Sequence, residues 1–276
     1  MKLTGLQKDK SKSRRRSTSS PDDGLKLLSM TDDFYTRESY KTLRSNVSFS
    51  LTGEEKSNVV IVTSSFQGEG KSITAINLGI SFAQAEKRVV IIDCDLRRPK
   101  LARELGIRGK KSGLSNLLME PELFSETLVH TDVPRLDAIL AGSVPPNPSE
   151  LLGSKRMTNL LATLKRQYDL IILDTPPVNM VTDAAVLVEE SSGVLVVVRA
   201  GVAEKGDVIR AVEQLEYAKA KILGFVLNGV SKGSGKYGYS RYGYGKYGHY
   251  GYGRYGRYGG YGHYEYGPSE DNEDTE

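Results

Sequence analysis

The chain has 276 residues of which 38% are hydrophobic, enough for one α/β core but low for a chain that is folded from end to end. It contains no run of about 18 apolar residues, and no apolar segment follows its basic start, so we expect neither a membrane-spanning helix nor a signal peptide. The single cysteine, Cys94, excludes an internal disulfide and a multi-thiolate metal site. We therefore expect a cytoplasmic protein in a reducing compartment.

The formal net charge of +4 is concentrated at the N-terminus. Residues 1–31 carry 8 Lys and Arg against 3 Asp and Glu, residues 231–276 carry 6 against 6, and the remainder carries 24 against 25. A basic arm could touch anionic lipid, at about 1 kcal/mol per residue, or nucleic acid, or simply be a solvated leader. We predict three parts: a disordered arm over 1–30, a folded domain over 31–231, and a low-complexity tail over 232–276.

The pattern of the first helical segment predicts an amphipathic helix over residues 32–53, capped by Asp32 or Asp33. Its apolar positions are Phe34, Leu43, Val47 and Phe49. Further helical patterns occupy residues 70–87, 154–167 and 205–220, and a Pro-rich loop over 141–156 leads into one of them.

Five short apolar runs rich in Val and Ile predict strands that are buried on both faces. They occupy residues 58–64, 88–95, 169–176, 193–200 and 221–229. Because strands and helices alternate along the chain, the pattern predicts a doubly wound α/β domain around a mostly parallel sheet.

The glycine-rich stretch SSFQGEGKS, residues 64–72, joins the first strand to the next helix. It matches the phosphate-binding pattern G-x-x-x-x-G-K-[ST], except that Ser65 replaces the first glycine. In this pattern backbone N–H groups surround phosphate oxygens, Lys71 meets the β and γ phosphates, and the Ser72 hydroxyl reaches Mg²⁺. A purely structural glycine turn is the alternative. The predicted nucleotide-binding residues are Gly68, Glu69, Gly70, Lys71, Ser72 and Ile73.

Acidic residues end two of the predicted strands. Asp174 ends the third strand, which is the usual place for a Mg²⁺-associated acid beside such a loop. Asp93 and Asp95 alternate at the end of the second strand, so both carboxylates should face one side of the sheet and Cys94 the other. They could ligate Mg²⁺ and accept a proton from a hydroxyl, or be plain surface acids. Ligands bind at the carboxyl ends of parallel strands, which favours the first interpretation.

Twelve tyrosines separated by Gly and an occasional Arg, Lys or His fill residues 237–266. This density of Gly, without aliphatic residues, predicts no regular structure. The segment could be a phosphate acceptor, or a sticky segment that binds nucleic acid by stacking and cation–π contacts. The candidate acceptors are Tyr237, Tyr239, Tyr242, Tyr244, Tyr247, Tyr250, Tyr252, Tyr255, Tyr258, Tyr261, Tyr264 and Tyr266.

The motifs SSFQGEGKS, VVIIDCDLRRP and IILDTPP resemble the Walker A, Walker A′ and Walker B motifs of the bacterial tyrosine kinases, in the family's order and with its tyrosine-rich tail. One departure is Gln67, where the family usually has Pro, which removes no phosphate ligand. The resemblance implies a MinD/ParA-like P-loop NTPase fold, ATP and Mg²⁺ as cofactors, and a protein tyrosine kinase. Such a kinase would phosphorylate its own tail and regulate capsule and exopolysaccharide synthesis.

The resemblance also implies residue roles. Asp93 would accept the tyrosine proton, and Lys71 would neutralise the transferring phosphate. Mg²⁺ would be held by Ser72, Asp95 and Asp174. Asn228 matches the position of an adenine-contacting Asn in related ATPases, although a plain turn Asn is an equally simple interpretation.

The resemblance further implies assembly and partners. The family's E-x-x-R-x-x-R helix, which joins subunits in a ring with tails reaching the next subunit, corresponds to Glu38, Lys41 and Arg44, where Lys41 lacks the bidentate fork of Arg. A solvated helix face is the alternative. The implied partners are a transmembrane activator that holds the chain at the inner face of the membrane, and a protein tyrosine phosphatase. No specific nucleic acid is expected.

Two other functions compete with the kinase interpretation. One is a partition ATPase of the MinD/ParA type, although that group normally has a second lysine early in its loop, where this chain has Ser64 and Ser65. The other is a non-catalytic, nucleotide-gated scaffold whose tyrosine-rich tail binds polysaccharide machinery or RNA.

Overall fold

A computed structural model describes residues 27–28, 34–52 and 58–230. Most of the predicted arm, both candidate capping residues Asp32 and Asp33, and the whole tyrosine-rich tail lie outside them. The described strands are Val59–Ser64 (β1), Val89–Asp93 (β2), Leu128–His130 (β3), Leu136–Ile139 (β4), Leu170–Asp174 (β5), Gly193–Arg199 (β6) and Ile222–Asn228 (β7).

Eight α-helices surround these strands in the described part of the chain. They are Phe34–Leu51 (α1), Lys71–Ala83 (α2), Leu101–Glu104 (α3), Leu114–Met119 (α4), Phe124–Thr127 (α5), Pro148–Leu152 (α6), Lys155–Leu164 (α7) and Lys205–Tyr217 (α8). Short 3₁₀ helices occupy Pro121–Leu123 and Ala185–Glu190. None of the described helices is long and apolar enough to cross a bilayer.

All seven strands belong to one sheet, in the order β3-β4-β2-β5-β1-β6-β7. Every pairing is parallel except that of β3 with β4. The central strands β1, β2 and β5 are buried along their whole length, as their continuous apolar sequences predict. The predicted doubly wound, mostly parallel sheet is therefore confirmed.

Helices cover both faces of the sheet, which gives the domain two apolar layers. One layer contains α2 together with residues from α1 and α3, among them Ile76 and Leu101. The other contains residues from α4, α7 and α8, among them Leu117, Leu161 and Leu215. Alternate residues of each central strand serve the two layers, because successive side chains of a strand point to opposite faces.

The structure corrects two sequence expectations about the sheet. The strands β3 and β4 were not predicted, because they are only three and four residues long and Asp137 interrupts the apolar run of β4. The strand β7 is not buried on both faces: it lies at the edge of the sheet, and Phe225 and Leu227 are about half exposed. A chain segment at an edge has one neighbour instead of two, so its apolar sequence alone overstates its burial.

The first helix exists as predicted, but its apolar contacts are fewer. Val47 is its one fully buried side chain and Leu43 packs beside it, whereas Phe34 and Phe49 are exposed. Polar contacts with α2 complete the attachment, since Arg44 Nη1 donates to the Ser81 carbonyl oxygen at 2.6 Å. Helix α1 is thus held by a narrow stripe rather than by the broad face that the sequence suggests.

The chain is already packed on the domain before residue 31, the predicted start of the folded part. Leu28 is buried in the same layer as α2, and its backbone N–H donates to Asn77 Oδ1 at 2.8 Å. Asn77 Nδ2 in turn donates to the Tyr40 hydroxyl at 3.2 Å. The packed domain therefore includes residues of the predicted arm.

Substitution of Val47 by Ala should lower the free energy of unfolding by about 2 kcal/mol, because two buried methyl groups are lost and a small cavity remains. The matched control is Phe49→Ala in the same helix, which should change it by less than about 0.5 kcal/mol because the ring is exposed. Urea unfolding followed by far-ultraviolet circular dichroism measures both. Equal losses in the two variants would contradict this packing of α1.

Candidate functional site

A cleft of about 640 Å³ lies where the carboxyl ends of the parallel strands meet. The last residues of the five strands around it are polar, although the strands themselves are apolar. These residues are Ser64, Asp93, Asp174, Arg199 and Asn228. Because parallel strands end at the same edge of a sheet, their polar ends are brought together without any further constraint.

The glycine-rich loop after β1 forms one wall of this cleft. Gly68 and Gly70 have φ angles of +83° and +93°, a left-handed conformation that suits glycine. At Gly70 a Cβ atom would also lie 2.0 Å from Asn228 Nδ2, so a larger residue would have to displace the Asn228 side chain. Helix α2 begins at Lys71, and the first N–H groups of a helix have no intrahelical acceptor. The loop and helix start together form a cradle for an anion.

Two side chains from neighbouring strands hold the carbonyl groups of this loop. Asn228 Nδ2 donates to the Glu69 carbonyl oxygen at 2.9 Å, and Arg199 Nη1 donates to the Gly68 carbonyl oxygen at 2.9 Å. With these carbonyl groups bound to β6 and β7, the loop is fixed relative to the sheet. Asn228 lines the cleft, and its amide nitrogen is engaged by the loop.

The side chain of Glu69 braces the loop from inside. It is 1% exposed, and both of its carboxylate oxygens accept from Ser65 Oγ at 2.9 Å. The Phe66 backbone N–H donates to Glu69 Oε2 at 2.9 Å as well. The serine that replaces the first glycine of the phosphate-binding pattern therefore has a partner within the loop. Glu69 shapes the loop instead of lining the cleft.

Lys71 lies between two carboxylates at the bottom of the cleft. Its Nζ atom is 3.2 Å from Asp95 Oδ2 and 3.2 Å from Asp174 Oδ1, and all three side chains are at least nine-tenths buried. Burial opposes the charge of Lys71, but the attraction of Asp174, Asp95 and Asp93 outweighs it, so the pKa of Lys71 is raised. The lysine stays charged where a phosphate would meet it.

Asp93 lies behind the cleft and does not line it. Its Oδ1 accepts from the Asp95 backbone N–H and its Oδ2 from the Leu101 backbone N–H, both at 3.1 Å. Burial, and to a smaller extent repulsion from Asp174, raises the pKa of Asp93 to about 7. Cys94 packs in the opposite layer of the core, as strand alternation predicts.

The residues present fit a magnesium ion held jointly with a nucleotide. Asp174 Oδ2 is buried, and no described residue hydrogen-bonds to it. Burial raises the pKa of Asp174, and the nearby Ser72 hydroxyl acts in the opposite direction by hydrogen bonding to the carboxylate. Asp95 completes a set of hard oxygen donors, which Mg²⁺ prefers. No group of three His, Cys, Asp or Glu in the described residues could hold a metal alone. A nucleotide-bound ion would take its remaining ligands from phosphates and water.

Arg97, which the sequence analysis did not single out, is fixed on the cleft wall by a buried acid. Its guanidinium donates to Asp183 through Nε at 3.0 Å and Nη2 at 3.1 Å, and Asp183 is fully buried. The Ser149 hydroxyl also donates to Asp183. A bidentate pair of this kind fixes the guanidinium plane. The segment after β2 is thereby attached to the segment after β5.

The structure brings most of the predicted nucleotide site together. Residues of that prediction that line the cleft are Gly68, Gly70, Lys71, Ser72, Ile73, Asp95 and Asn228. Arg199 was missed, although it ends an apolar strand just as Asp174 does, and the same rule would have found it. Arg97 directly follows the Walker A′ acids, but Asp183 is distant in sequence, and no sequence signal connects it to Arg97.

The proposed subunit-contact residues lie on α1 and already have partners within the chain. Lys41 Nζ is 2.6 Å from Glu38 Oε1 at the helix surface. Arg44 contacts the end of α2 as described above. Glu38 and Lys41 remain partly exposed, so this face is open to a second contact.

Comparisons with known proteins agree with this geometry. An AAA domain family matches residues 57–223. The chain is 38% identical to tyrosine-protein kinase YwqD of Bacillus subtilis over 204 residues, which are 73% of this chain and 85% of that protein. It is 36% identical to tyrosine-protein kinase CpsD of Streptococcus agalactiae over 75% of this chain and 90% of that protein. The chain belongs to the bacterial tyrosine kinase family.

Solved structures of this family share the fold. The kinase domain of the Escherichia coli tyrosine kinase ETK matches with a TM-score of 0.67 and 34% identity, over 74% of this chain and 80% of that domain. The chimerical protein CapA2B2 gives a TM-score of 0.67 and 36% identity, over 71% of this chain and 85% of that chain. MinD from Pyrococcus horikoshii, at 20% identity and a TM-score of 0.53, shares the fold alone.

Substitution of Glu69 by Ala should weaken binding of ATP with Mg²⁺ about tenfold, because a loop that has lost its brace must be ordered by the ligand. The matched control is Glu69→Gln, whose amide can accept from Phe66 and donate to Ser65, so its affinity should stay within about threefold. Isothermal titration calorimetry measures both. Full affinity in the alanine variant would show that the brace has no role in binding.

Proposed function

We propose that this chain is an ATP-dependent protein tyrosine kinase that phosphorylates its own C-terminal tyrosines and regulates capsule or exopolysaccharide synthesis. The observation that carries the proposal is the position of Lys71, held between Asp95 and Asp174 at the start of α2 and beside a glycine cradle. The fold is shared with MinD and so does not by itself indicate the acceptor. Membership of the tyrosine kinase family supports the choice of tyrosine.

Phosphoryl transfer at this site requires the chain to stabilise charge on the phosphates and to accept a proton. The loop N–H groups and Lys71 bind the phosphates and offset the charge that develops on them. The phenol oxygen of a tyrosine attacks the γ phosphorus, the bond to the β-phosphate oxygen breaks, and ADP leaves. The phenol proton passes to a carboxylate, for which Asp93 is the proposed acceptor. Its raised pKa of about 7 suits a group that takes up and returns a proton near neutral pH.

The described arrangement sets a condition on that proton transfer. Asp93 is buried behind the cleft and is held by backbone N–H groups of the segment between β2 and α3, so a hydroxyl reaches it only after this segment shifts. Ser72, Asp95 and Asp174 are the proposed magnesium ligands. When bound, Mg²⁺ neutralises charge on the phosphate oxygens.

The tail is the proposed acceptor on the basis of its composition and its point of departure. Asn228 and Gly229 line the cleft, and the described domain ends at Val230. The tyrosine-rich residues 237–266 therefore begin a few residues from the site. Short covalent attachment gives an acceptor a millimolar effective concentration, within one subunit or at a neighbouring one.

The proposal extends to assembly and partners. The partly exposed Glu38 and Lys41 are consistent with a subunit contact on α1. A transmembrane activator and a phosphatase rest on the family resemblance alone, as does location at the inner face of the membrane. The alternative functions, a partition switch and a non-catalytic scaffold, are not favoured by any contact in the site.

Replacement of Lys71 by Met, or of Asp93 and Asp95 together by Ala, should reduce tyrosine phosphorylation at least about a hundredfold, because charge stabilisation and proton acceptance are lost. Lys87→Met, at an exposed position just beyond the end of the same helix, is the matched control and should keep the parent rate. Anti-phosphotyrosine blotting after incubation with ATP and Mg²⁺ measures the effect, with circular dichroism to confirm folding. Retained labelling in either site variant would refute the assignment.

Removal of residues 237–266 should abolish self-phosphorylation and leave ATP affinity unchanged, since the described residues that line the cleft end at Gly229. Replacement of all twelve tail tyrosines by Phe is the matched control, because it preserves the length of the tail and removes only the hydroxyl acceptors. Mass spectrometry of the full chain and calorimetry report the two quantities. If either variant labelled itself to the parent extent, the acceptor would lie elsewhere.

A further inference from the structure

The segment that follows β2 forms a basic rim along the cleft. Four of its side chains line the cleft and carry positive charge, and none belongs to the glycine-rich loop. We use the name basic rim for these four residues, Arg97, Arg98, Lys100 and Arg103.

Two of the four cations are neutralised by acids of the described domain. Arg97 pairs with the buried carboxylate of Asp183. Arg103 pairs with Glu104 at 2.5 Å. These two pairs stiffen the rim but contribute little net charge to the cleft.

The other two cations form no ion pair with a described residue. Arg98 Nη1 donates to the neutral amide oxygen of Gln67 at 2.9 Å, which fixes the guanidinium without neutralising it. The Arg98 backbone N–H is held by Asp95 Oδ1 at 3.0 Å, and Lys100 precedes α3. Two uncompensated charges on one cleft wall, of which Arg98 is held in place, attract an anionic partner.

The chain itself contains an anionic segment, in the tail that follows the described domain. Residues 265–276, EYGPSEDNEDTE, contain six Asp and Glu and no Lys or Arg. Glu265 lies 35 residues beyond Val230, where the described domain ends beside the cleft. A Gly-rich chain of that length spans roughly 30–35 Å on average, so the acidic segment has a high local concentration at the rim of its own or an adjoining subunit.

We propose that the acidic segment 265–276 docks on the basic rim through Arg98 and Lys100, and that this contact presents the adjacent tyrosines to the cleft. The inference rests on the proposed function in one respect, namely that the tail is the substrate. Docking at its acidic end makes Tyr264 and Tyr266 the first acceptors, since Tyr266 lies at the start of the anchored segment and Tyr264 directly precedes it. Tyrosines near residue 237 are then used later.

Zero-length crosslinking of the full chain tests the contact without any need for catalysis. A carbodiimide joins carboxylates to amines that touch, so crosslinked peptides should connect residues 265–276 to Lys100 at least about fivefold more often than to the exposed control lysines Lys155 and Lys219. The preference should disappear between about 0.02 M and about 0.5 M salt, where the Debye length falls to roughly 4 Å. Crosslinks spread evenly over the lysines, or concentrated on Lys8, Lys10 and Lys12 of the arm, would overturn the proposal.

A cycle of charge variants links the contact to substrate use. Combined Arg98→Gln and Lys100→Gln should lower the initial rate at Tyr264 and Tyr266 about fivefold, and so should Glu270→Gln, Asp271→Asn, Glu273→Gln and Asp274→Asn together. Joining both sets should cause no further loss, because each removes the same contact. The control pair, Lys155→Gln with Lys219→Gln, should change neither the rate nor the order of sites.

The two measurements separate this proposal from the proposed function. If the parent chain crosslinks at Lys100 but forms no phosphotyrosine with ATP and Mg²⁺, the kinase assignment fails and the docking stands. If it forms phosphotyrosine but the rim and acidic variants lose rate independently and additively, the docking fails and the kinase assignment stands.

Discussion

Lys71 keeps its charge in a nearly dry place because two carboxylates, Asp95 and Asp174, each lie 3.2 Å from its Nζ atom. With Asp93 behind these two, three acids act on a single ammonium group, so the bottom of the cleft is short of positive charge even though its rim is basic. The same shortage of positive charge is visible at Asp174, which has a buried carboxylate oxygen without a hydrogen-bond partner among the described residues. A magnesium nucleotide would complement this arrangement. The metal would bring positive charge to the carboxylates, and the phosphates would bring an anion to Lys71.

The parallel sheet is what makes such a concentration of charge possible. Each of the strands β1, β2, β5, β6 and β7 is apolar along its length and polar at its last residue, so the sheet can be dry while its carboxyl edge is ionic. The loop at that edge is held from three directions. Asn228 and Arg199 bind its carbonyl groups and Glu69 braces it internally. A loop ordered in advance loses less entropy when it binds phosphate.

The regions around the site differ in how firmly they are attached. Asp183 fixes Arg97 through two hydrogen bonds in a buried place, whereas α1 is attached by Val47, Leu43 and a few polar contacts with α2. Leu28 and Tyr40 meet at Asn77, one of the residues that line the cleft. The start of the domain therefore packs against the helix that carries Lys71, and a partner acting on either segment would have a direct physical route to the site.

The sequence by itself determined the five longer strands, their parallel arrangement and most of the cleft, because buried parallel strands and a glycine-rich phosphate loop depend on local patterns. It did not determine the short strands β3 and β4, the exposure of Phe49, or the partners of Arg97 and Glu69. These depend on contacts between residues that are distant in the chain. Arg97 and Asp183, for example, are 86 positions apart. Only the tertiary structure decided that Asp95 faces the cleft and Asp93 lies behind it, because backbone N–H groups of Asp95 and Leu101 hold the Asp93 carboxylate in the segment between β2 and α3.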